Sequence, residues 1–426
     1  MKEGYKQTKL GIIPDAWEIK KFIDFSDKSK KWSFTGGPFG SDLKSSDYTE
    51  DGIRIIQLQN IGDGRFIDNY KIYTSSTKAD QLLSCNIYPG DIILSKMGDP
   101  VARACFIPSS EDRFVMSSDG IRLSVDENIF DKKFVHDYIN SIYFRRRAID
   151  VSTGSTRQRI GLPTLKNLDI IYPPLKEQKA IADCLSSWDK AIELQRELIL
   201  SKEVRKKSLA QQLLTGKRRL PGFTNEWKEQ TLGNLGEAYT GLSGKNKDHF
   251  GKGKPFITYM NVFSNSTINL SSFPLVEIES NENQNRVKYG DILFTVSSET
   301  PHEAGMAAVF LDDSIKELYL NSFCFGYRLH DFKILLPIFA SFILRADVFR
   351  KEIYKLAQGS TRFNISKSGV LKINFRIPSI VEQDAIANVL ETADKEIQLE
   401  KKKLADLQQQ KKALMQQLLT GKVRLV

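Results

Sequence analysis

The chain has 426 residues, of which 41% are hydrophobic and 27% are charged, so its length predicts two or three globular domains with substantial cores. Its formal charge of +10 favours a polyanionic partner. The four scattered cysteines exclude a zinc ribbon and a Cys-x-x-Cys redox pair, and they are typical of reduced thiols. The polar residues 1–10 predict no signal peptide, and the apolar run 334–344 is too short to cross a bilayer. We therefore expect a cytoplasmic protein.

Residues 1–160 are predicted to form a mixed α/β domain, because short β-branched runs such as 53–58 and 91–95 are separated by Gly, Pro and Asn turns. A helix is expected over 132–151. A long helix follows over 174–216, beginning after a Pro-Pro pair and ending at Gly216.

Residues 217–365 are predicted to form a second mixed α/β domain, with strands near 255–259 and 291–296 and a helix over 335–357. A second long helix is expected over 379–421, where Ser379 and Glu382 form a capping box. Each long helix has about 40 residues and would measure roughly 60 Å.

The two halves of the chain are copies of one unit. Residues 154–220 align with 359–425 without a gap, and 28 of the 67 positions are identical, against roughly 6% expected by chance. The segment Gly154-Ser155-Thr156-Arg157 returns at 359–362, and Glu177-Gln178 returns at 382–383. Upstream, only a framework recurs, including the turns 90–92 and 290–292. The sequence therefore predicts two divergent α/β domains related by a pseudo-twofold axis and joined by near-identical helices.

In both long helices, apolar residues recur at alternating steps of four and three, which indicates a coiled-coil seam with a few polar layers. The alternative is two independent helices that lie on the globular domains, but matching polar positions in the two helices favour mutual packing. The pseudo-twofold symmetry would make the pair antiparallel. Several leucines fall outside this seam. They are either a docking surface for partner proteins or contacts with the globular domains of the same chain. The partner-binding candidates are Leu194, Leu198, Leu214, Leu399 and Leu419.

Basic residues collect at the helix that closes each globular domain and at the repeated Gly-Ser-Thr-Arg loop. A charged helix face is usually only solvated, but the recurrence of these residues beside the same loop favours contact with phosphates. The backbone-contact candidates are Arg145, Arg146, Arg147, Arg157, Arg159, Arg350, Lys351 and Arg362.

No catalytic arrangement is evident in the sequence. The four histidines have no metal-ligand spacing, and no phosphate-binding Gly-x-x-x-x-Gly-Lys-Ser/Thr loop is present. Residues 171–174, Ile-Tyr-Pro-Pro, lack the Asn or Asp of an adenine-methyltransferase motif and are better explained as a helix start. We expect no catalytic, cofactor or metal site on this chain.

The segment 35–41, Thr-Gly-Gly-Pro-Phe-Gly-Ser, and the following residues to Asn60 resemble the opening of a target-recognition domain in the specificity subunits of type I restriction-modification enzymes. The tails 177–182 and 211–217 resemble the helical spacers of that family. This resemblance covers essentially the whole chain, although the second domain departs from it at Thr240-Gly241-Leu242-Ser243-Gly244-Lys245.

The resemblance implies a non-catalytic subunit that binds double-stranded DNA at an asymmetric, bipartite target. It implies two methyltransferase subunits and restriction subunits as partners, with S-adenosylmethionine, ATP and magnesium on those partners. A stand-alone DNA-modifying enzyme and a coiled-coil adaptor without a DNA role remain as alternatives.

The repeat also separates two kinds of DNA contact. A loop that is identical in two domains reading different bases cannot choose the sequence, so base readers should lie where the copies diverge. These regions are 36–48, 98–113, 241–254 and 297–306. The base-reading candidates are Ser41, Lys44, Ser45, Arg103, Lys245, Lys247 and Lys252.

Overall fold

The computed structural model describes residues 3–154 and 156–425. These residues divide into two units. The first contains the chain up to Arg196 together with the residues from Lys402 onward, and the second contains Glu197–Lys401. Each unit combines strands, short helices and parts of both long helices, so the mixed α/β prediction is confirmed.

The first unit contains two main sheets. Its strands are β1 (Tyr5–Thr8), β2 (Gly11–Pro14), β3 (Glu18–Lys21), β4 (Phe34–Gly36), β5 (Tyr48–Thr49), β6 (Ile53–Ile56), β7 (Ile72–Thr74), β8 (Asn86–Ile87), β9 (Ile92–Ser95), β10 (Ala104–Phe106), β11 (Phe114–Met116), β12 (Gly120–Leu123) and β13 (Asp169–Tyr172). Its helices are α1 (Ser76–Gln81), α2 (Lys132–Asn140), α3 (Ile142–Asp150), α4 (Leu162–Lys166) and the long α5 (Leu175–Leu213). One sheet is antiparallel, in the order β10-β9-β12-β4, and the other is β5-β7-β6-β11-β8 with a parallel β6–β11 pair.

The second unit repeats this topology. Its strands are β14 (Lys228–Thr231), β15 (Gly236–Thr240), β16 (Phe250–Ile257), β17 (Leu275–Val276), β18 (Ile292–Thr295), β19 (Ser297–Ser298), β20 (Ala307–Val309), β21 (Tyr319–Leu320), β22 (Cys324–Leu329), β23 (Phe363–Asn364) and β24 (Asn374–Ile377). Its helices are α6 (Leu232–Leu235), α7 (Tyr259–Ser264), α8 (Pro337–Ile343), α9 (Asp347–Leu356), α10 (Lys367–Leu371) and the long α11 (Ile380–Leu418). The order β20-β18-β22-β15 matches the first antiparallel sheet, and the β16–β21 pair is again parallel.

The central strand of each antiparallel sheet is a continuous apolar run because both of its faces are covered. In β9, Ile92 and Leu94 enter the larger core of the first unit, while Ile93 enters a second cluster on the opposite face. In β18, Phe294 and Leu293 divide between two cores in the same way. Successive side chains of a strand point to opposite faces, so an uninterrupted apolar strand joins two cores.

The repeated Gly-Asp-Ile turns position a buried ion pair beside these strands. In the first unit Asp91 accepts a hydrogen bond from the Tyr88 backbone at 3.0 Å and lies 2.8 Å from Nε of Arg122. In the second, Asp291 accepts bonds from Arg328 at 2.8 and 2.6 Å. A buried carboxylate needs such partners to remain charged, which explains why this turn survives where the surrounding loops diverge.

The two long helices run antiparallel within each unit, as the pseudo-twofold symmetry predicts. In the first unit Asp189 pairs with Lys411 at 2.6 Å. The second unit has the same contact 205 residues later, between Asp394 and Lys206. The seam position Ile181 is fully buried and Ile192 is 6% exposed, while Leu194, one helical face away, is 55% exposed.

Each long helix is fixed to its own α/β domain by the repeated Glu-Gln pair at its start. Gln178 accepts a hydrogen bond from the Asp131 backbone and donates to the carbonyl of Pro173, both at 2.9 Å. Gln383 makes the same contacts with Leu336 and Pro378 at the same distances. The sequence marks these residues as repeated but does not indicate this anchoring role.

Two of the five candidate docking leucines are core residues, so these two predictions are wrong. Leu214 is 3% exposed and packs in the core that contains Trp227, while Leu419 is fully buried in the core that contains Trp17. The heptad pattern places both outside the seam, but the last turn of each helix is covered by an α/β domain. No helix in the described part of the chain is both long and apolar enough to cross a bilayer.

Candidate nucleic-acid interface

The repeated Gly-Ser-Thr-Arg loop is held at the same edge of the sheet in both units. In the first unit Met97, which follows β9, pairs with Arg159, and the Ile160 amide donates to the carbonyl of Lys96 at 2.9 Å. In the second, Ser297 pairs with Asn364, and Ile365 donates to the Val296 carbonyl at 3.0 Å. The two loops therefore project from corresponding positions.

A tight turn explains the repeated glycine of this loop. The turn is closed by reciprocal backbone bonds between Thr153 and Arg159, and Gly154 has a φ of +102°. Gly359, in the second copy, has a φ of +134°. A Cβ atom at these glycines would lie 2.5 and 2.0 Å from the carbonyl oxygens of Arg157 and Arg362, so only glycine fits.

The arginine of the loop, unlike the glycine, is not fixed by its contacts within the part of the protein that the structure describes. Arg157 and Arg362 are exposed in both copies. Packing therefore does not account for their identity, which points to a shared external partner. Ser155 lies outside the described residues.

In the first unit Arg159, the residue that closes this turn, lines a cleft of about 1140 Å³. Its other wall is the 35–42 segment that carries the family motif, and Lys78, Lys96 and Arg159 supply positive charge. Phe39, at the tip of that segment, is 83% exposed. Ser41, Lys44 and Ser45 are all exposed, which leaves these candidates accessible. A concave surface lined by cations and bearing an exposed aromatic ring suits a nucleic acid.

A smaller cleft in the second unit, of about 480 Å³, lies beside Arg362 of the repeated turn and is more aromatic. Tyr259, Phe263, Phe323 and Arg362 line it. Phe323 is 60% exposed, although it occupies a position where the first unit has a charged residue. The residues that line the second cleft are not the counterparts of those that line the first, so the two domains share a sheet and a turn but present different surfaces beside them.

Lys245 is not accessible for base reading, so that prediction is wrong. Its side chain is 3% exposed and forms an ion pair with Glu282, while the neighbouring Ser243 is bonded to Gln284. The 243–245 loop is therefore folded against the 282–284 segment. Lys247 and Lys252 remain exposed, with Lys252 3.1 Å from Glu277.

Arg145 and Arg350 are structural, which contradicts their assignment as phosphate contacts. Arg145 is 7% exposed and donates to the Asp63 carboxylate at 2.6 Å. Arg350, 205 residues later, donates to three backbone carbonyls of the 302–305 loop. Burial lowers the pKa of both guanidinium groups. Each arginine ties a surface loop to the closing helix of its domain.

The remaining basic candidates differ in their exposure and in their hydrogen-bond partners. Arg147 is half-buried and donates to the carbonyl of Asp169, so it too is structural. Arg146 and Lys351 occupy the same position in the two copies and are both exposed. Arg103 is half-buried, and its Nε has no hydrogen-bond partner in the described part of the chain.

Sequence reasoning missed several residues of these clefts. Lys78 and Lys96 line the first cleft, and Asp119 holds Arg159 through a hydrogen bond of 2.7 Å. Phe39 was visible in the sequence, but only as part of the family motif. Among the described residues, no cluster of His, Cys, Asp or Glu is arranged to hold a metal ion.

Comparison with known proteins supports a single family. The model of the type I restriction modification DNA specificity domain matches twice, at residues 15–201 and 224–409. The putative type I restriction enzyme MjaX specificity subunit of Methanocaldococcus jannaschii is 25% identical over 99% of this chain and 97% of its own length. The type I restriction enzyme MjaVIII specificity subunit of the same organism is 27% identical over about half of each chain, 51% of this one and 50% of the relative.

Two solved structures share the fold. A chain from a study of complex assembly and conformational transition of the type I restriction-modification system has a TM-score of 0.64 and 15% identity, covering 96% of this chain and 99% of its own. The HsdS subunit from Thermoanaerobacter tengcongensis has a TM-score of 0.51 and 16% identity, covering 96% and 98%.

Proposed function

Because this chain belongs to the type I restriction-modification DNA specificity family and carries that family's domain twice, we propose that its two clefts read the two halves of an asymmetric, bipartite DNA target. The observation that carries this proposal is that the two units repeat one antiparallel sheet and one turn, while the surfaces beside them differ. Lys78, Lys96 and Arg159 line a cleft in the first unit, whereas Tyr259, Phe263 and Phe323 line a different cleft in the second. Two linked domains that each bind a short half-site gain affinity through their effective concentration.

The phosphate contacts are assigned to exposed cations that recur at the same position in both copies. These are Arg157 with Arg362, at the turn, and Arg146 with Lys351, on the closing helix. Phosphate contacts orient a protein on DNA without selecting a sequence, so they can be identical in domains that read different bases.

The base-reading loops are assigned to positions where the copies diverge. In the first domain the exposed candidates are Ser41, Lys44 and Ser45, beside Phe39; in the second they are Lys247 and Lys252. Serine and lysine offer donors for base edges in the major groove.

The exposed leucines of the long helices are assigned to partner subunits. Leu194 and Leu399 occupy the same position in the two copies and are 55% and 67% exposed, and Leu198 is 41% exposed. Exposed leucines on a helix indicate a protein interface. We assign them to two methyltransferase subunits, with restriction subunits completing the enzyme. This chain would then be non-catalytic, with S-adenosylmethionine, ATP and magnesium bound by the partners.

The proposal is tested by assembling the full chain with its methyltransferase subunits and selecting bound duplexes from a randomised DNA library at several salt concentrations. We expect a bipartite sequence with two different halves. Arg157→Ala and Arg362→Ala should each weaken binding to all duplexes and reduce the salt slope by about one. Lys333→Ala, which removes an 87% exposed cation elsewhere, is the matched control and should leave affinity unchanged. Selection of no sequence by the unaltered complex would contradict the proposal.

A further inference from the structure

Arg159 and Asn364 occupy one position in the two domains. Each exchanges two backbone hydrogen bonds across the repeated turn, Arg159 with Thr153 and Asn364 with Gln358. Each also pairs with the strand extension that follows the central strand, through Met97 in one unit and Ser297 in the other. The backbone therefore delivers these two side chains to corresponding places in the two domains.

A neighbouring position also changes between the two domains, together with the change from Arg159 to Asn364. In the first unit the carbonyl of Asp119 accepts a bond from the Lys96 amide at 2.7 Å, and in the second the carbonyl of Phe323 accepts one from Val296 at 3.0 Å. Asp119 and Phe323 are therefore equivalent positions. The arginine is accompanied by a carboxylate, whereas the neutral asparagine is accompanied by an apolar ring.

The first pair has the chemistry of a guanine reader. The Arg159 side chain is 49% exposed, and its Nη2 donates to Oδ1 of Asp119 at 2.7 Å. This contact holds the guanidinium in one orientation and leaves its other donors available. An oriented guanidinium matches the O6 and N7 acceptors of guanine in the major groove.

The second pair has the chemistry of an A·T reader. Asn364 is exposed, and its Nδ2 makes a long contact of 3.4 Å with the Arg362 carbonyl. A carboxamide pairs with N6 and N7 of adenine, and an apolar ring such as the 60% exposed Phe323 suits the methyl group of thymine.

We infer that Arg159 and Asn364 are equivalent base-reading residues, Arg159 selecting a guanine in one half-site and Asn364 an adenine in the other. This inference rests on the proposed function and refines it, because Arg159 now acts on a base and not on a phosphate. Arg157 and Arg362, which lie two residues before Arg159 and Asn364, are identical in the two copies and contact the DNA backbone. Asp119 is a positioning residue for Arg159, and Phe323 supports the A·T preference.

The inference is tested by exchanging the residues at this position between the two domains. The full chain is assembled with its methyltransferase subunits, and bound duplexes are selected from a randomised library. Arg159→Asn should remove the preference for one G·C pair in one half-site, by roughly 5- to 150-fold in relative affinity. The double variant Asn364→Arg with Phe323→Asp transplants the first pair into the second domain and should create a guanine preference at one position of the other half-site. Arg157→Ala and Arg362→Ala, as controls, should lower affinity without moving any preference.

Two chemical probes resolve the contacts. Replacing the selected guanine by 7-deazaguanine should weaken binding of the unaltered complex but not of Arg159→Asn. Replacing the paired thymine by deoxyuridine should weaken binding of the unaltered complex but not of Phe323→Ala. Asp119→Ala should relax the guanine preference at that single position and leave every other position unchanged.

Unchanged base preferences in Arg159→Asn or in the transplanted variant would overturn the inference, as would a loss of affinity that is uniform across sequences. A failure of the unaltered complex to select any sequence would instead overturn the proposed function, so the two failures are distinguishable.

Discussion

Replacing the buried carboxylate Glu177 by glutamine should destabilise the first unit by about 2–4 kcal/mol. Glu177 is 1% exposed and accepts three hydrogen bonds, from Nε1 of Trp17 at 3.0 Å and from Arg424 at 2.9 and 2.7 Å. Hydrogen bonds to charged groups contribute about 1.5–3 kcal/mol each. The Arg424 side chain is 32% exposed, so water compensates part of its loss, and the expected total is smaller than three full bonds.

The second unit supplies a matched comparison. Glu382, 205 residues later, accepts two bonds from Arg219, while Nε1 of Trp227 is buried without a partner in the described part of the chain. Glu382→Gln should therefore destabilise its unit by about 1 kcal/mol less than Glu177→Gln does, because a net hydrogen bond contributes about that much. Glu193→Gln, at a 61% exposed carboxylate, is the surface control.

Differential scanning calorimetry measures these differences. For units of about 200 residues, each kcal/mol shifts Tm by about 2–4 °C, so Glu177→Gln should lower the transition of its unit by roughly 5–15 °C. Amide exchange in residues 5–17 should rise with it, because Trp17 loses its anchor. A transition for Glu177→Gln that coincides with that of Glu193→Gln would refute the assignment of this carboxylate as a clamp.

Three further predictions each rest on the contacts of one residue. Gly359→Ala should destabilise the second unit by about 1–3 kcal/mol in urea unfolding, because its φ is +134° and its Cβ meets the Arg362 carbonyl; Gly222 also has a positive φ, of +88°, but no atom of the described residues within 4 Å of an added Cβ, so Gly222→Ala should destabilise the protein less, and equal losses of stability would contradict the clash. Arg350→Lys should lower Tm while leaving DNA affinity per folded molecule unchanged, the reverse of Arg362→Ala; lost affinity in the folded protein would contradict its structural role. Burial alone would raise the pKa of Asp137, but hydrogen bonds from His136 and Lys133 outweigh burial and hold the pKa below the ordinary 3.8. The ionised Asp137 therefore stabilises the folded state above pH 3.8, and this contribution is lost as the pH falls below that value. Asp137→Asn should make acid unfolding, followed by circular dichroism, less steep, and an unaltered acid profile would contradict the pairing.

The sequence predicts the features that local chemistry determines. Alternating steps of four and three placed Ile181 and Ile192 on the buried seam, and the Ser-x-x-Glu pattern at Ser379 lies where α11 begins, at Ile380. Repetition alone identified the turn at Gly359, whose left-handed backbone accepts only glycine. Each of these signals can be read along the sequence, so no tertiary contact is needed to recognise it.

Contacts between distant segments could not be predicted in the same way. Arg145, Arg146 and Arg147 are adjacent in sequence, but successive residues of a helix point about 100° apart. One is buried on Asp63, one is exposed and one is bonded to the carbonyl of Asp169. Their common charge therefore gave no information about which of them faces outward.

Comparison of the two copies on one backbone identifies function more sharply than either copy alone. The identity of Gly154 and Gly359 follows from backbone geometry, so it carries no information about a ligand. Arg157 and Arg362 are exposed, so packing does not enforce their identity, and we attribute it to the phosphate contacts proposed above. At the position of Arg159 the frame is the same while the side chain and its neighbour both change. The Arg and Asp pair of the first domain is replaced by Asn and Phe in the second while the frame is preserved. We attribute this change to what the side chains contact, which in the proposed bipartite target is the base pair.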